Sequence, residues 1–341
     1  MDVFTLANAR GMEMRFIAYG GIIVSIRVPD RDGAVADVTP GYDSLDDYTR
    51  DTRFFGAIIG RYANRIANAR FTLDGVEYAL TPNEDDKQLH GGPSGFHRAT
   101  WRVAPSHDPS AGAVLCHCSD AGDQGFPGTL HARVTYTVTD DNELVVDYSA
   151  IADAATPVNL TQHVYFNLAG HDAGDVLDHE LTLNASHFMP VDAALLPDGP
   201  MRSVHGTPFD FTAPHRIGER IDEPDEQLAI AHGYDHNFVL DRRSEHELAL
   251  AARVYEPRSG RMLEILTTEP GIQFYSGSGI GGGLPGKGGH VYPRSAALAL
   301  EPQHYPDSPN HPEFPSTILR PGGEYRSRTV YRFSTASTDT L

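Results

Sequence analysis

Glu301 ends the run Ala296-Ala-Leu-Ala-Leu-Glu301, in which large and small apolar residues alternate. Side chains alternate between the two faces of a strand, so Leu298 and Leu300 point one way and Ala297, Ala299 and Glu301 the other. One face is core, and the other is kept small beside a single carboxylate. Glutamate is usually exposed, and a solvated strand-end carboxylate does no chemistry. A carboxylate on a small-residue face is instead placed to accept a proton, which is the work of a general base. Pro302, Pro306, Pro309, Pro312 and Pro315 follow. None can donate a ladder hydrogen bond, so the strand is expected to stop at Glu301 and a rigid, irregular loop to wall the site.

A second stretch, Thr156 to Leu168, carries the complementary group. Val158, Leu160, Val164, Phe166 and Leu168 share one parity, while Asn159, Thr161, His163, Tyr165 and Asn167 share the other, with Gln162 breaking the pattern. A histidine in mid-strand among amides and hydroxyls either faces water or lines a wet cleft, and together these residues resemble a hydroxyl-recognising surface. Arg61, Arg65 and Arg70 lie among apolar neighbours, and Leu89-His90-Gly91-Gly92 sets a histidine before glycines that allow close backbone approach. Asp235 sits in His232-Gly-Tyr-Asp-His-Asn237 at the entrance to a strand. His232 and His236 have a zinc-like spacing, but Gly233 disfavours the helix that spacing needs and no glutamate stands in the metalloprotease position. Gly277-Ser-Gly-Ile-Gly-Gly282 matches a dinucleotide fingerprint letter for letter, yet the glycines and proline that follow cannot open a helix. We expect a flexible loop there, and neither a cofactor nor a metal.

The elements that must position these residues read almost entirely at period two. Strands are expected at Met12–Ile17, Ile22–Val28, Val114–His117, Leu130–Val138, Leu144–Ile151, Leu181–Phe188, Phe238–Leu240, Leu248–Tyr255, Met262–Thr267, Gly271–Ser276 and Tyr325–Phe333. Asp74-Gly75 between Phe71-Thr-Leu and Val76-Glu-Tyr is a hairpin signal. Short helical pieces fit Ser44–Tyr48 and Arg216–Ile221. Nothing alternates strand with helix as a parallel α/β fold requires, so the expected class is all-β, a large antiparallel sandwich. No repeat or linker divides the 341 residues, and one domain over 1–341 is expected.

Composition bounds the partners. A formal charge of −19, from 46 acidic against 27 basic residues, argues against nucleic acid and anionic membrane surfaces. The N-terminal residues show no basic segment followed by an apolar one, and no run is long enough to span a bilayer, so a cytoplasmic location and a monomer or homodimer are expected. The two cysteines, Cys116 and Cys118, share a strand face and strain against pairing with each other. Asn159 and Asn184 head sequons that matter only in a secretory context.

Taken in order, Gly60-Arg-Tyr-Ala-Asn-Arg65, Leu89-His-Gly-Gly92, Gly125-Phe-Pro-Gly128, Asn159-Leu-Thr-Gln-His-Val-Tyr-Phe-Asn-Leu168, Tyr234-Asp-His-Asn237, Gly271-Ile-Gln-Phe-Tyr275 and Leu300-Glu-Pro-Gln-His304 resemble the aldose 1-epimerase (galactose mutarotase) family. The resemblance implies a galactose mutarotase-like β-supersandwich with an open cleft and a small aldose as substrate. It implies Glu301 as base, His163 as acid, and Asn64, Arg65, His90, Asp235 and Gln273 as sugar-binding groups. Gln162, Pro302 and Gly277-Ser-Gly-Ile depart from the family pattern, the last of them at the rim where sugar preference is set.

Ring opening of a hemiacetal needs one group to take the C1 hydroxyl proton while another protonates the ring oxygen. At reference pKa values near 4 and 6.5, Glu301 is ready as the base at neutral pH, and acidic neighbours would favour the protonated His163 that an acid must be. Three other readings use the same residues: a glycoside hydrolase with Asp235 and Glu301, a sugar-binding module without turnover, and a hexose-6-phosphate mutarotase, which would want a cationic pocket beyond Arg61, Arg65 and Arg70.

Overall fold

The computed structural model describes residues 2–105, 112–245 and 247–336. Nearly all regular structure is antiparallel strand, as the period-two pattern requires. One nine-stranded sheet runs in the order Arg102–Pro105, Ala113–Ser119, Leu130–Val138, Glu143–Ala152, Tyr325–Thr335, Arg261–Thr267, Ala249–Tyr255, Glu180–Leu183 and His215–Arg216. A six-stranded sheet takes Tyr165–Phe166, Leu298–Gln303, Gly271–Tyr275, Asp235–Val239, His187–Phe188 and Arg202–Ser203. A four-stranded sheet is built from residues Val3–Ala7 to Val35–Asp37. Side chains from all three meet in one apolar core, where Leu144, Val146 and Ile265 pack with Phe238, Phe274, Leu298 and Leu300 and with Met14 and Phe16.

The alternation expected around Glu301 is present and decides the architecture. Leu298 and Leu300 enter this core, whereas Ala297 and Ala299 belong to a second cluster with Phe55, Tyr165 and Tyr292. The strand does not stop at Glu301: it runs on to Gln303, pairing Glu301 with Gln273, Pro302 with Ile272 and Gln303 with Gly271. The Pro302 carbonyl accepts from Thr161 Oγ1 at 2.7 Å, on the side away from the Gly271–Tyr275 strand. A residue's N–H and C=O leave a strand on the same side, so the N–H that proline lacks is not one this ladder needs.

Other expectations shift in informative ways. The Leu181–Phe188 run is two strands in different sheets, Glu180–Leu183 and His187–Phe188, divided where the Asn184 side chain donates to the Asp241 and Leu250 carbonyls. The hairpin at Asp74-Gly75 forms with Leu73 opposite Val76. Ser44 caps the helix Leu45–Arg50, the Arg216–Ile221 piece is a single 3₁₀ turn at Ile217–Glu219, and an unforeseen helix spans Glu226–Ala231. The glycine-rich loop is tethered: Lys287 Nζ donates to Asp37 Oδ2 and the Thr39 carbonyl, both at 2.7 Å, and Ile280 is buried. Cys116 and Cys118 are free. Among the described residues no helix is long and apolar enough to cross a membrane.

Leu300 is fully buried in the main core beside the strand partners of Glu301. Leu300→Ala should therefore lower the unfolding free energy by about 2–5 kcal/mol, read as a lower denaturant midpoint at unchanged slope. A cost below about 1 kcal/mol, the scale of a surface change, would place this strand in the wrong register.

Candidate active site

The site lies on the face of the six-stranded sheet that turns away from the main core. Asp235, Gln273 and Glu301 come from three adjacent strands, with Gln273 directly opposite Glu301, while Ile272, Phe274 and Leu300 between them point into the core. Short strands bring the rest. Thr161–His163 pairs with Ala57–Ile59 and carries the imidazole to its end, and Arg65–Ile66 pairs with Gln88–Leu89, which places His90 against Asn64. Asn64 and His90 both have positive φ, and Gly91 is obligatory, since a Cβ there would stand 2.0 Å from the Gly60 carbonyl oxygen. The seven site residues that the resemblance implies converge here.

His163 Nε2 lies 3.5 Å from Glu301 Oε1, close enough to attract but too far for a firm hydrogen bond. Both groups are nearly inaccessible, at 4% and 2% exposure. Burial, and secondarily the Asp235 charge, push the Glu301 carboxyl well above the usual carboxylate range against the opposing pull of Arg65. Burial pushes the His163 imidazole down to about 3. The reference values assumed from sequence thus do not survive: desolvation penalises both charged forms and outweighs the acidic neighbours expected to keep His163 protonated. Burial also raises the Asp235 carboxyl, against Arg65 and a 2.7 Å hydrogen bond from Gln273 Nε2. Arg65 grips Glu84 through Nε and Nη2 at 2.6 and 2.9 Å; burial would lower its pKa, but that carboxylate together with Asp235 and Glu301 raises it on balance.

His90, His163 and Glu301 offer atoms within 4.8 Å of one another, a spacing a metal could use. The donor set does not fit one. The Asn64 backbone N–H donates to His90 Nδ1 at 3.1 Å, which fixes the proton of the neutral ring on Nε2. One nitrogen is already an acceptor and the other a donor, so His90 presents no free lone pair to a cation. His232 and His236 form no site either: His232 is exposed at the end of Glu226–Ala231, whereas His236 is buried with Nε2 against Gln227 Oε1.

Other polar residues turn out to hold the fold. The amides of Asn159 and Asn167 and the hydroxyl of Thr161 are spent on backbone carbonyls, so of that strand's polar face only His163 and the ring of Tyr165 reach the site. Arg61 is buried with its guanidinium on the carbonyls of Ser119, Asp120, Pro127 and Gly128, and Arg70 is exposed. Sequence reasoning missed Glu84, which lay in a run of acidic residues, and Phe54. The Phe54 ring lies 4.8 Å from His90, 4.8 Å from His97 and 5.9 Å from His163, and its φ of 59° is strained for a bulky residue. No local pattern marks either.

A family model described as aldose 1-epimerase matches residues 2–332, almost the whole of this arrangement. The chain belongs to the aldose 1-epimerase family. It is 44% identical over 325 residues to the galactose mutarotase of Rattus norvegicus, covering 95% of this chain and 92% of that protein. It is 42% identical over 333 residues to the aldose 1-epimerase of Escherichia coli K12, covering 97% and 94%. The structure superposes on the GalM/aldose epimerase homologue from C. elegans with a TM-score of 0.90 at 32% identity, covering 98% and 99%, and on galactose 1-epimerase from Lactobacillus acidophilus at 0.84 and 26%, covering 98% and 94%. The fold is accordingly the galactose mutarotase-like sandwich that the resemblance implied.

The tautomer of His90 makes a concrete expectation for this family member. Protein dialysed against a strong chelator should keep its full activity, and metal analysis should find no stoichiometric ion at His90, His163 and Glu301. Activity lost to the chelator and restored by zinc would overturn the donor assignment for His90.

Proposed function

We propose that this chain interconverts the α and β anomers of a free aldohexose such as galactose or glucose, with Glu301 as general base and His163 as general acid. The observation that carries the proposal is the buried pair itself: a carboxyl and an imidazole 3.5 Å apart, ringed by Asp235, Gln273, Arg65, His90 and Asn64, in an aldose 1-epimerase chain. Glu301 takes the proton of the C1 hydroxyl while His163 gives its proton to the ring oxygen; the C1–O5 bond breaks and the C1 carbonyl forms. Rotation about C1–C2 and return of both protons closes the other anomer. The same reading takes the enzyme as cytoplasmic, acting on a small sugar without nucleic acid or membrane.

Burial gives this cycle its driving force. Ring opening converts an ionised carboxylate and imidazolium into a neutral acid and a neutral imidazole, and the desolvated site favours that neutral pair. A carboxylate with a raised pKa is a stronger base, and an imidazolium with a lowered one a stronger acid. The bound ring sugar must in turn support the ionised pair at the start, with the Arg65 charge favouring the carboxylate. Arg65, His90, Asn64, Asp235 and Gln273 present donors and acceptors to the sugar hydroxyls and supply the orientation. The 6-phosphate reading finds no support in the arginines, because of Arg61, Arg65 and Arg70 only Arg65 reaches the site, and Glu84 already holds two of its nitrogens.

Polarimetry on fresh α-D-galactose and α-D-glucose tests the proposal. Glu301→Gln should lower kcat by about 10²–10⁴, and retention of more than a tenth of the wild-type rate would remove Glu301 as base. His163→Asn should act on kcat and Asp235→Asn at least partly on KM. A methyl hexoside should be inert; methanol release without accelerated mutarotation would mean glycoside hydrolysis instead.

The pH profile follows from the same charges. The working pair holds one proton, so the alkaline limb of kcat/KM marks its loss. Asp235 raises the Glu301 pKa by repulsion, and Asp235→Asn should therefore move that limb to lower pH. An unmoved or raised limb would contradict the assignment.

A further inference from the structure

A histidine that transfers protons is ordinarily aimed by a hydrogen bond to its second ring nitrogen, which fixes tautomer and orientation together. His163 has no such bond. Its Nδ1 is buried without a hydrogen-bond partner among the described residues, and its Nε2, 3.5 Å from Glu301 Oε1, is too distant to be held firmly. Its own backbone pulls the ring's pKa upward, but less than burial pulls it down. What touches the ring is aromatic. Tyr165 lies nearly parallel to it at 4.9 Å and 28°, Phe54 at 5.9 Å and 23°, and the His90 ring meets it edge-on at 5.2 Å. Tyr165 is buried in the second apolar cluster, whereas Phe54 is partly exposed and stands on the solvent side.

The chain holds Phe54 there against its own preference. A φ of 59° is free to glycine and strained for a residue of this bulk, and such strain persists only where the surroundings impose it. Here they do. The Asp51 carboxylate accepts from the Tyr42 hydroxyl at 2.8 Å and from the Phe55 N–H at 3.4 Å. Arg53 donates to the Tyr42 hydroxyl at 3.0 Å and to the Gly282 carbonyl in the glycine-rich loop. The Phe54 carbonyl accepts from the Ala57 N–H at 3.1 Å, and the Gly56 N–H donates to the His163 carbonyl at 2.9 Å. Phe55, 1% exposed, packs its ring 5.0 Å from that of Tyr165. The strained turn is thus tied to the backbone of the residue whose side chain it covers, and its ring spans three imidazoles, those of His90, His97 and His163. We propose that Phe54 is a positioning residue for the catalytic acid: with Tyr165 it holds the His163 imidazole with Nε2 toward Glu301 and shuts water away from it.

The inference rests on His163 being the acid, and its test separates the two. The titratable and charged groups around His163 are Glu301 with Asp235 and Arg65 beyond it, His90, His97, Tyr165 and Asp51, none of which the test variants alter. Phe54→Gly suits the backbone of the turn and removes only the ring. In this variant labelled with ¹⁵N at histidine, the His163 signals, assigned by their loss in His163→Asn, should titrate at least about one pH unit above the wild type, because a ring open to water charges more easily. That extra imidazolium would speed the reaction by no more than about tenfold and comes with a weaker acid, whereas a misaimed catalytic group costs up to about a hundredfold. The kcat for α-D-galactose should therefore fall about tenfold, with KM changed less than about threefold. Phe54→Tyr, which keeps a flat ring, should restore both the titration and kcat. An unmoved His163 titration, or an unchanged kcat, would overturn the proposal, as would lost thermal stability alone; a raised KM at unchanged kcat would make Phe54 a sugar contact instead. His163→Asn with near wild-type mutarotation would break the acid assignment, while the His163 titration in Phe54→Gly would still report what the ring does, so the two failures remain distinct.

Discussion

Desolvation of one carboxyl and one imidazole is the constraint on which the site depends. The Leu298–Gln303 strand is buried along its whole length, between a core that takes Leu298 and Leu300 and a second cluster that takes Ala297 and Ala299. A glutamate in that strand is almost wholly withdrawn from water, at 2% exposure, and the short Thr161–His163 strand delivers a histidine into the same desolvated space. Separately each residue would be a liability. Together, 3.5 Å apart, they are two groups whose charged forms are both disfavoured, so the proton transfers proposed for them would run toward neutrality.

Much of the surrounding polar architecture serves to bury that space without leaving backbone groups unanswered. Loops and strand ends around the site leave carbonyls that no ladder uses, among them those of Asp120, Pro127, Gly128, Ala63 and His304. Buried side chains answer them: Arg61 holds four carbonyls, Asn159 bridges Ala63 and His304, and Thr161 serves Pro302. These are the costs of bringing site residues from many chain positions onto one face. The same logic fixes the tautomer of His90, whose ring nitrogen satisfies the Asn64 N–H and so presents a donor rather than a metal ligand.

How far sequence reasoning reached follows from which forces are local. The parity of Ala296–Glu301 and of Val158–Leu168 is a property of consecutive residues, and both alternations are found, as are the long strands at Leu130–Val138 and Tyr325–Thr335. The seven candidate site residues were recoverable because the family strings carry them in order. The two-residue strands, the Glu226–Ala231 helix and the split of Leu181–Phe188 were not, since pairing partners far along the chain decide them. Pro302 within the strand depended on which neighbour its edge faces, and Phe54 on rings brought from two other segments. The misjudged pKa values share that origin: reference values describe a solvated side chain, and burial is a property of the fold.

The claim that desolvation governs the pair can be read directly from His163. In protein labelled with ¹⁵N at histidine, the ring nitrogen shifts of His163 should report a neutral imidazole in the sugar-free enzyme at pH 7 and should remain so on acidification well below the ordinary histidine range, as burial lowers its pKa to about 3. An imidazolium spectrum at pH 7 without sugar would show that the charge of Glu301 outweighs burial, and would contradict the account.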